Sequence, residues 1–192
     1  MDPVYLSQSK KNARREQAII VFEDEASFRQ SPTLHQTWAR RNSQPQIPSK
    51  GARNTQKIFG AVALHTAKFI YQHTSESFNS ETYIAFLEDH LLPNYYTRSH
   101  RIYLIQDNAS YHKKPETYNW FQDNRKYIEV FNLPPYSPEL NAEERLWHHT
   151  RMYVTHNQYY DTKEELCSNL FATFKNMQNN PKSIEGMLRP FF

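Results

Sequence analysis

The sequence of 192 residues has a single cysteine, only three glycines and no apolar run long enough to cross a membrane. One cysteine, Cys167, cannot form an internal disulfide framework or a zinc site built from cysteines. The mean hydropathy of −0.87 and the polar, basic start of the chain give no sign of a membrane span or a secretory signal. We therefore expect a protein of the reducing cytoplasm with no membrane partner.

Acidic residues are also missing over a long stretch, between Glu25 and Glu76, although the net charge of the chain is only +3. Seven lysines and arginines lie within this stretch, which therefore has a local positive charge. Such a surplus attracts a polyanion, but a solvated basic loop is the commoner explanation of a charge run taken alone.

Aromatic residues make up 15% of the chain, which is enough for a well-packed core. The length predicts one domain. Residues 1–16 are polar and basic, and we expect them to be a lead-in or the remnant of a linker. Residues 17–192 are expected to form the domain itself.

Short apolar segments rich in β-branched residues alternate with segments of helical periodicity. Strands are expected in QAIIVFEDE, KIFGAVAL and KFIYQHT, with HQTWARRN as a further candidate. A helix over Asn79–Tyr95, the strand RIYLIQD, the helix KPETYNWFQDN and the strand KYIEVFNLP follow, before helices starting near Ser137 and Asp161. This order predicts an α/β fold of the ribonuclease-H-like type. Its mixed five-stranded sheet has an antiparallel meander, then alternating strands and helices, and is flanked by helices.

Two of the expected strands end in an aspartate, and these residues are candidates for a shared site. Asp24 follows Ile20 and Phe22 on one face of its strand, because alternate residues of a strand share a face. Asp107 closes RIYLIQD in the same manner. Carboxylates at the carboxyl ends of strands commonly build a site in an α/β sheet. Each aspartate taken alone is better explained as an ordinary residue of a strand end or turn.

Glu144 lies on the helix expected to begin at Ser137. Leu140, Glu144 and Trp147 are spaced i, i+4 and i+7, which predicts one stripe facing the sheet. Glu143 is expected to be more exposed. An inward carboxylate needs a partner, either an arginine or lysine or a divalent cation. Three carboxylates from two strands and one helix suit Mg²⁺, which prefers oxygen ligands.

The segments FEDEASF, QDNASYH and LPPYSPELNAEERLW resemble the DDE endonuclease domain of mariner-like and related bacterial insertion-sequence transposases. That family shows Asp-Glu after its first strand, Asp-Asn-Ala before a histidine, and a PPYSP-x-LNP-x-E-x-x-W stretch. The similarity extends from about residue 19 to about residue 147, and the last motif is the most specific. It implies that the catalytic, metal-binding acids are Asp24, Asp107 and Glu144.

Two features depart from the family pattern. The usual Asn-Pro-Ile-Glu reads Asn-Ala-Glu-Glu here, and the spacing to Trp147 selects Glu144 rather than Glu143. Full-length relatives carry helix-turn-helix DNA-binding segments ahead of this domain, whereas only about 16 residues precede the first strand here. We therefore expect either a separate chain that supplies this module or a truncated copy.

The resemblance implies a ribonuclease-H-like fold and two Mg²⁺ or Mn²⁺ ions, about 4 Å apart, that clamp the scissile phosphate. The expected reaction is hydrolysis of a DNA phosphodiester, followed by in-line attack of a DNA 3′-hydroxyl on target DNA. The three acids position metal, so no covalent enzyme intermediate is expected. Basic residues would hold the phosphate backbone without reading its sequence. They are Arg40, Arg41, Lys50, Arg53 and Lys57.

Three polar residues are candidates for support of the site. Asn108, directly after the second aspartate, is expected to orient a ligand or water, or simply to form a turn. His112 is expected to reach DNA or the metal surroundings, although a structural or surface histidine is the commoner role. Asn141 is a candidate cap or brace for the helix of the third acid. Trp38 suggests stacking on a base, or more commonly a place in the core.

DNA is the expected partner, as transposon ends and as target. A homodimer is expected in the active complex because two ends must be paired, and the location implied is the bacterial cytoplasm, at the nucleoid when DNA is bound. Two alternatives stay open. One is a non-catalytic or truncated remnant that binds DNA, which the presence of all three acids argues against. The other is a different two-metal nuclease of this fold, such as a junction resolvase or ribonuclease H, which the PPYSPELN stretch argues against.

Overall fold

The computed structural model describes residues 3–51 and 53–192, with side chains from residue 10 onward. Its centre is a five-stranded sheet in the order β3-β2-β1-β4-β5. β1, β2 and β3 form an antiparallel meander, while β4 pairs with β1, and β5 with β4, in parallel. The predicted fold class is therefore confirmed. The strands are β1 (Ile19–Arg29), β2 (Thr55–Ala63), β3 (Phe69–Thr74), β4 (Ile102–Gln106) and β5 (Ile128–Asn132).

Helices cover both faces of the sheet. π-helical turns, Leu87–Leu91 and Arg151–Thr155, join α2 to α3 and extend α5. No helix among the described residues has the length and apolar character needed to cross a membrane. The helices are α1 (Pro3–Glu16), α2 (Ser80–Phe86), α3 (Leu92–Tyr95), α4 (Pro115–Asp123), α5 (Ala142–Thr150), α6 (Lys163–Asn179) and α7 (Lys182–Leu188).

The alternation of β1 divides the interior into two cores. Phe22 and Phe28 point to one face, where they pack with side chains of α5, α6 and α7. Val21 points to the other face, where α2, α3 and α4 supply the partners, among them Tyr83 and Trp120. Both faces of the central strand are buried because helices lie on each side, as expected for a sheet with parallel connections.

Residues 1–16, expected to be a lead-in or the remnant of a linker, have a helix over their described part. Ala13 of α1 is buried in the core formed with α5, α6 and α7. The Tyr103 hydroxyl donates to the Glu16 carboxylate at 2.7 Å, and Arg101 lies 3.6 Å from the same group. These contacts tie the end of α1 to β4. Residues 1 and 2 lie outside the described part.

Three local predictions are wrong. HQTWARRN is not a strand: apart from a bridge between Thr33 and His156, the described residues of the loop between β1 and β2 form no regular structure. Trp38 on this loop is fully exposed rather than in a core. The helix expected from Ser137 begins at Ala142, because a short 3-10 turn, Pro138–Leu140, comes first.

Candidate metal-binding active site

An open cleft of about 500 Å³ beside the carboxyl end of β4 is lined by Asp24, Asp107 and Glu144. β1 and β4 pair in parallel from Ile19 opposite Ile102. The same offset places Asp24 opposite Asp107, one residue beyond β4. The loops after β4 and β5 form the remaining walls. Their lining residues are Asn108, Ala109, Lys113, Leu133, Pro134, Pro135, Tyr136, Ser137, Pro138 and Asn141.

Asp24 is a buried carboxylate within β1, with 7% of its surface exposed. The indole Nε1–H of Trp147 donates to its Oδ2 at 3.2 Å, so α5 fixes its orientation. Burial, together with the carboxylates of Glu25, Glu144 and Asp107, raises the pKa of Asp24 well above its ordinary value. The charge of an ionised Asp24 is therefore poorly compensated within the protein.

Asp107 has a different environment, with 49% of its side chain exposed at the strand end. Its Oδ1 accepts the backbone N–H of Ala109 at 2.7 Å and lies 3.2 Å from His112 Nδ1. Burial opposes ionisation, but the hydrogen bonds from His112 and Ala109 and the charges of His112 and Lys113 lower the pKa of Asp107 below its ordinary value. Asp107 is thus ionised and accessible, as a metal ligand must be.

The two glutamates at the start of α5 have the opposite burial to that expected. Glu143 is fully buried, whereas Glu144 is half-buried, with Arg151 3.6 Å from its carboxylate. Because α5 begins at residue 142, positions 143, 146, 147 and 150 share its inward face. The predicted stripe is wrong because Leu140 lies in the preceding 3-10 turn. Glu144 instead reaches the cleft from the edge of α5.

Glu143 points at the sheet where β2 has a glycine. A Cβ atom on Gly60 would lie 2.6 Å from Glu143 Oε1 and 2.4 Å from Trp147, so only glycine fits. Neither carboxylate oxygen of Glu143 has a hydrogen-bond partner among the described residues. Burial and the charges of Asp24 and Glu144 raise the pKa of Glu143 well above its ordinary value. The neutral form is therefore favoured, which leaves Glu144 as the carboxylate of α5 available to a cation.

The donor set of the cleft suits a hard divalent cation. Its three acids, Asp24, Asp107 and Glu144, supply oxygen ligands of the kind that Mg²⁺ and Mn²⁺ prefer. Burial and the repulsion from neighbouring carboxylates raise the pKa of Asp24, and a bound cation would offset this cost of its ionisation. The residues present therefore fit a metal of this class.

A second group of polar residues, on the opposite face of β1, was missed as a group by sequence reasoning. One ligand atom each from Glu23, Glu25 and His112 lies within 4.8 Å of the others. Burial lowers the pKa of His112, but its hydrogen bonds to Asp107 and Glu25 outweigh this and raise it to about 9. The alternation of side chains along β1 could have indicated this group, because it turns Glu23 and Glu25 away from the face of Asp24.

Asn108 and Asn141 brace the loops that line the cleft. The Asn108 side-chain amide donates to the carbonyl of Leu133, which ties the segment after β4 to the segment after β5. The Asn141 side chain accepts the backbone N–H of Glu143 at 3.1 Å and so caps α5. His112 is buried, so the surface alternative for this residue is wrong.

The five basic residues predicted to bind DNA all lie among the described residues, and none of them lines the cleft. Arg40, Arg41 and Arg53 are exposed on the loop between β1 and β2. Lys50 forms an ion pair with the aspartate at position 161, and Lys57 of β2 donates to the carbonyl of residue 76 at 3.0 Å. The three arginines thus offer the more accessible positive charge.

Comparison with known proteins points to one family. The family model described as DDE superfamily endonuclease matches residues 19–167. The chain is 28% identical over 160 residues to the insertion element IS630 uncharacterized 39 kDa protein of Shigella sonnei, covering 83% of this chain and 43% of that protein. It is 29% identical over 185 residues to the transposable element Tc3 transposase of Caenorhabditis elegans, covering 91% of this chain and 54% of that protein. The chain thus spans about half the length of these curated relatives.

A solved structure has the same architecture. The crystal structure of the Mos1 mariner paired end complex with Mn superposes with a TM-score of 0.62, covering 97% of this chain and 57% of that chain at 15% sequence identity. At this identity the likeness shows the fold alone. It agrees with the ribonuclease-H-like arrangement expected from the order of strands and helices.

Proposed function

The chain belongs to the DDE superfamily endonucleases, and from this premise we propose that it is the catalytic domain of a transposase. In this proposal it cuts DNA strands and transfers the cut end to a target. The observation that carries the proposal is the single cleft lined by Asp24, Asp107 and Glu144. Carboxylates from a central strand, a neighbouring strand end and a helix edge suit metal-assisted phosphodiester chemistry.

The proposed cofactor is Mg²⁺ or Mn²⁺, with two ions in the working site. The donor chemistry of the three acids supports this choice, as does the likeness to a Mos1 complex with Mn. When bound, such ions polarise the phosphate and favour ionisation of the attacking water or hydroxyl. The acids themselves position the ions and take no part as nucleophiles.

The remaining residues of the site have supporting roles in this proposal. Trp147 orients Asp24 through its indole N–H. Asn108 and Asn141 hold the loops and the helix that bring Asp107 and Glu144 to the cleft. Backbone phosphates of DNA would be held by the basic residues outside the cleft, where charge gives affinity without sequence reading. These are Arg40, Arg41, Lys50, Arg53 and Lys57.

The proposed partners are transposon ends and target DNA. Paired DNA ends require two catalytic sites, so a homodimer is the proposed active form, with residues 17–192 as the catalytic domain. We assign recognition of the transposon ends to a helix-turn-helix module, which a separate chain can supply. The relative from a bacterial insertion element supports a place in the bacterial cytoplasm.

DNA cleavage in the presence of Mg²⁺ or Mn²⁺ tests the proposal. The chain is incubated with DNA carrying the ends of its element, and nicked and joined products are separated on denaturing gels. Asp107→Asn and Glu144→Gln should each lower cleavage by more than about 100-fold, since metal ions supply several kcal/mol of stabilisation in such reactions. Glu143→Met, one residue away, should retain cleavage and is the matched control.

Calorimetric titration with Mn²⁺ gives a second readout that does not depend on end recognition. The unsubstituted chain and Glu143→Met should bind the ion, whereas Asp107→Asn and Glu144→Gln should bind it weakly. Cleavage without joining would indicate another nuclease of this fold. No metal-dependent cleavage, together with no binding of Mn²⁺, would overturn the proposal.

A further inference from the structure

A chain of contacts leads from the cleft through β1 and β4 to the opposite face of the sheet. His112 Nδ1 lies 3.2 Å from Asp107 Oδ1, on the side of the cleft. His112 Nε2 lies 3.2 Å from Glu25 Oε1, on the side of α2 and α4. Nδ1 also lies 3.3 Å from the backbone carbonyl oxygen of Asp107. The imidazole thus faces a carboxylate oxygen with each nitrogen, and its two N–H groups can donate to Asp107 and to Glu25.

The two carboxylates that contact His112 differ in exposure. The side chain of His112 is 1% exposed and that of Glu25 is also buried, while Asp107 is half exposed. The Asp107 carboxylate is held by the backbone N–H of Ala109 and by the buried imidazole of His112, and only the imidazole connects it to the interior of the protein. Asp107 lies one residue beyond β4, so the hydrogen bonds between the strands do not fix its position.

The His112 imidazole and the Glu25 carboxylate are themselves held by several contacts. The Tyr111 hydroxyl donates to the same Glu25 oxygen that faces His112. The imidazole packs against Tyr83 with ring centroids 4.4 Å apart, and Tyr83 in turn donates to Gln106 at the end of β4. The histidine ring therefore has little freedom to rotate, and it transmits a fixed position to the carboxylate of Asp107.

We infer that Glu25 and His112 are positioning residues, which set the orientation of the Asp107 carboxylate from behind the sheet. This inference rests on the proposed function, in which Asp107 binds a divalent cation. Hydrogen-bonded partners of metal ligands typically change metal affinity by about 10- to 100-fold when they are removed. Glu25 and His112 never touch the cation or DNA in this assignment.

A rival assignment uses the same residues as ligands. Glu23 is fully buried without a hydrogen-bond partner among the described residues, and it offers a carboxylate oxygen within 4.8 Å of Glu25 and His112. The contacts favour positioning, because His112 Nε2 and the Tyr111 hydroxyl already engage the same oxygen of Glu25.

Two substitutions of His112 remove its contacts to the two carboxylates one at a time. His112→Asn keeps an N–H donor at the place of Nδ1 and removes the hydrogen bond to Glu25, whereas His112→Gln keeps a donor at the place of Nε2 and removes the hydrogen bond to Asp107. Mn²⁺ affinity is measured by calorimetric titration of the full chain, with cleavage of DNA as a second readout. His73→Asn is the control, because His73 contacts the neutral Gln56 on the meander.

The expected order of Mn²⁺ affinity is unsubstituted chain, then His112→Asn, then His112→Gln, with the last weaker by about 10- to 100-fold. His73→Asn should match the unsubstituted chain, and urea unfolding should show that each variant is folded. Equal weakening by both His112 variants, or none by either, would overturn the inference while leaving the proposed function intact.

The His112 substitutions are also made in a chain that carries Asp107→Asn, and Mn²⁺ binding is measured again. If residual Mn²⁺ binding in that background falls further on His112→Asn, which removes the atom that faces Glu25, the ion lies at Glu23, Glu25 and His112, and the positioning role is wrong. If neither His112 substitution lowers the residual binding, His112 acts through Asp107, as inferred. Absence of Mn²⁺ binding by the unsubstituted chain would overturn the proposed function, and the inference with it.

Discussion

At the residue level, burial separates the carboxylates around the cleft into those that suit a cation and those that do not. Glu143 and Glu144 are neighbours of the same type, yet one is enclosed by α5 and β2 and the other borders the cleft. The motif predicts Glu144 as the metal ligand, but no pattern in the sequence reveals that Glu143 is enclosed. That outcome depends on where α5 begins and on the space left by Gly60.

Replacement of Glu143 by methionine should stabilise the protein at neutral pH. The pKa of Glu143 in the folded state is raised above its ordinary value of 4.5, so ionisation of Glu143 destabilises the fold. This loss of stability is absent below that pH and accumulates as the pH rises toward the folded-state pKa. A buried polar group without a partner costs about 1–3 kcal/mol. Asp24 and Glu144 face the same group, and their charges act in the same direction.

Urea unfolding at pH 4.5 and at neutral pH measures this effect. The unfolding free energy of Glu143→Met should already exceed that of the unsubstituted chain at the lower pH, because the carboxyl of Glu143 has no hydrogen-bond partner among the described residues. The difference should grow toward neutrality. Glu139→Met, at an exposed position in the preceding turn, is the control and should show no such trend. A difference that stays constant with pH would contradict a raised pKa for Glu143.

At the level of elements, the position of α5 decides whether the third acid reaches the cleft. The helix carries both Glu144 and Trp147, which contacts Asp24. A 3-10 turn precedes it, and the Asn141 side chain caps its first turn. A small change at this cap should therefore affect the site as well as the stability of the helix.

Asn141→Ala should lower the unfolding free energy by about 1 kcal/mol, the usual effect of removing a cap, and should also weaken Mn²⁺ binding. Thr162→Ala is the matched control. Thr162 caps α6 by accepting the backbone N–H of Glu165, and α6 contributes nothing to the lining of the cleft. Similar losses of stability with unequal losses of Mn²⁺ affinity are expected. Equal Mn²⁺ affinities would contradict a role for the cap in the site.

Most elements follow from local periodicity. β1 to β5 are predicted by short apolar runs rich in β-branched residues, and α2, α4 and α6 by helical spacing and N-terminal signals. HQTWARRN failed because propensity alone, without pairing to a neighbouring strand, does not make a strand. The contact between His112 and Glu25 joins residues 87 apart in sequence, so only the assembled sheet reveals it.

At the level of the whole molecule, the acidic cleft and the basic loop are separate features. The exposed loop between β1 and β2 carries Arg40, Arg41 and Arg53, none of which lines the cleft. A polyanion that reaches both would have to extend across the surface between them. A DNA duplex has the length and the charge for this, which a small anionic substrate lacks.

Arg40→Glu combined with Arg41→Glu should weaken DNA binding and make its salt dependence shallower. The slope of log K against log salt should decrease by about 1 for each phosphate that the protein no longer neutralises. Fluorescence anisotropy with labelled duplexes at several salt concentrations measures both quantities. Mn²⁺ affinity should stay unchanged, because the substitutions lie outside the cleft.

A charge-matched control uses Arg98 and Arg125, which lie in the turns before β4 and β5, at the opposite ends of those strands from the cleft. Arg98→Glu with Arg125→Glu alters net charge equally and should leave most of the DNA affinity intact. Equal losses in both double variants would mean that net charge, rather than the loop, governs binding.

The hydrogen bond from Trp147 to Asp24 also gives the molecule an optical reporter. Trp147 is one of three tryptophans, and its indole is enclosed next to a carboxylate of the cleft. Trp38 is fully exposed and Trp120 donates to Glu88, away from the cleft. With Trp38 and Trp120 replaced by phenylalanine, and with excitation at a wavelength that tyrosine does not absorb, the emission comes from Trp147 alone. Its intensity should change as Mg²⁺ is added and stay constant in Asp24→Asn, so the occupancy of the cleft can be followed by fluorescence, without DNA and without turnover.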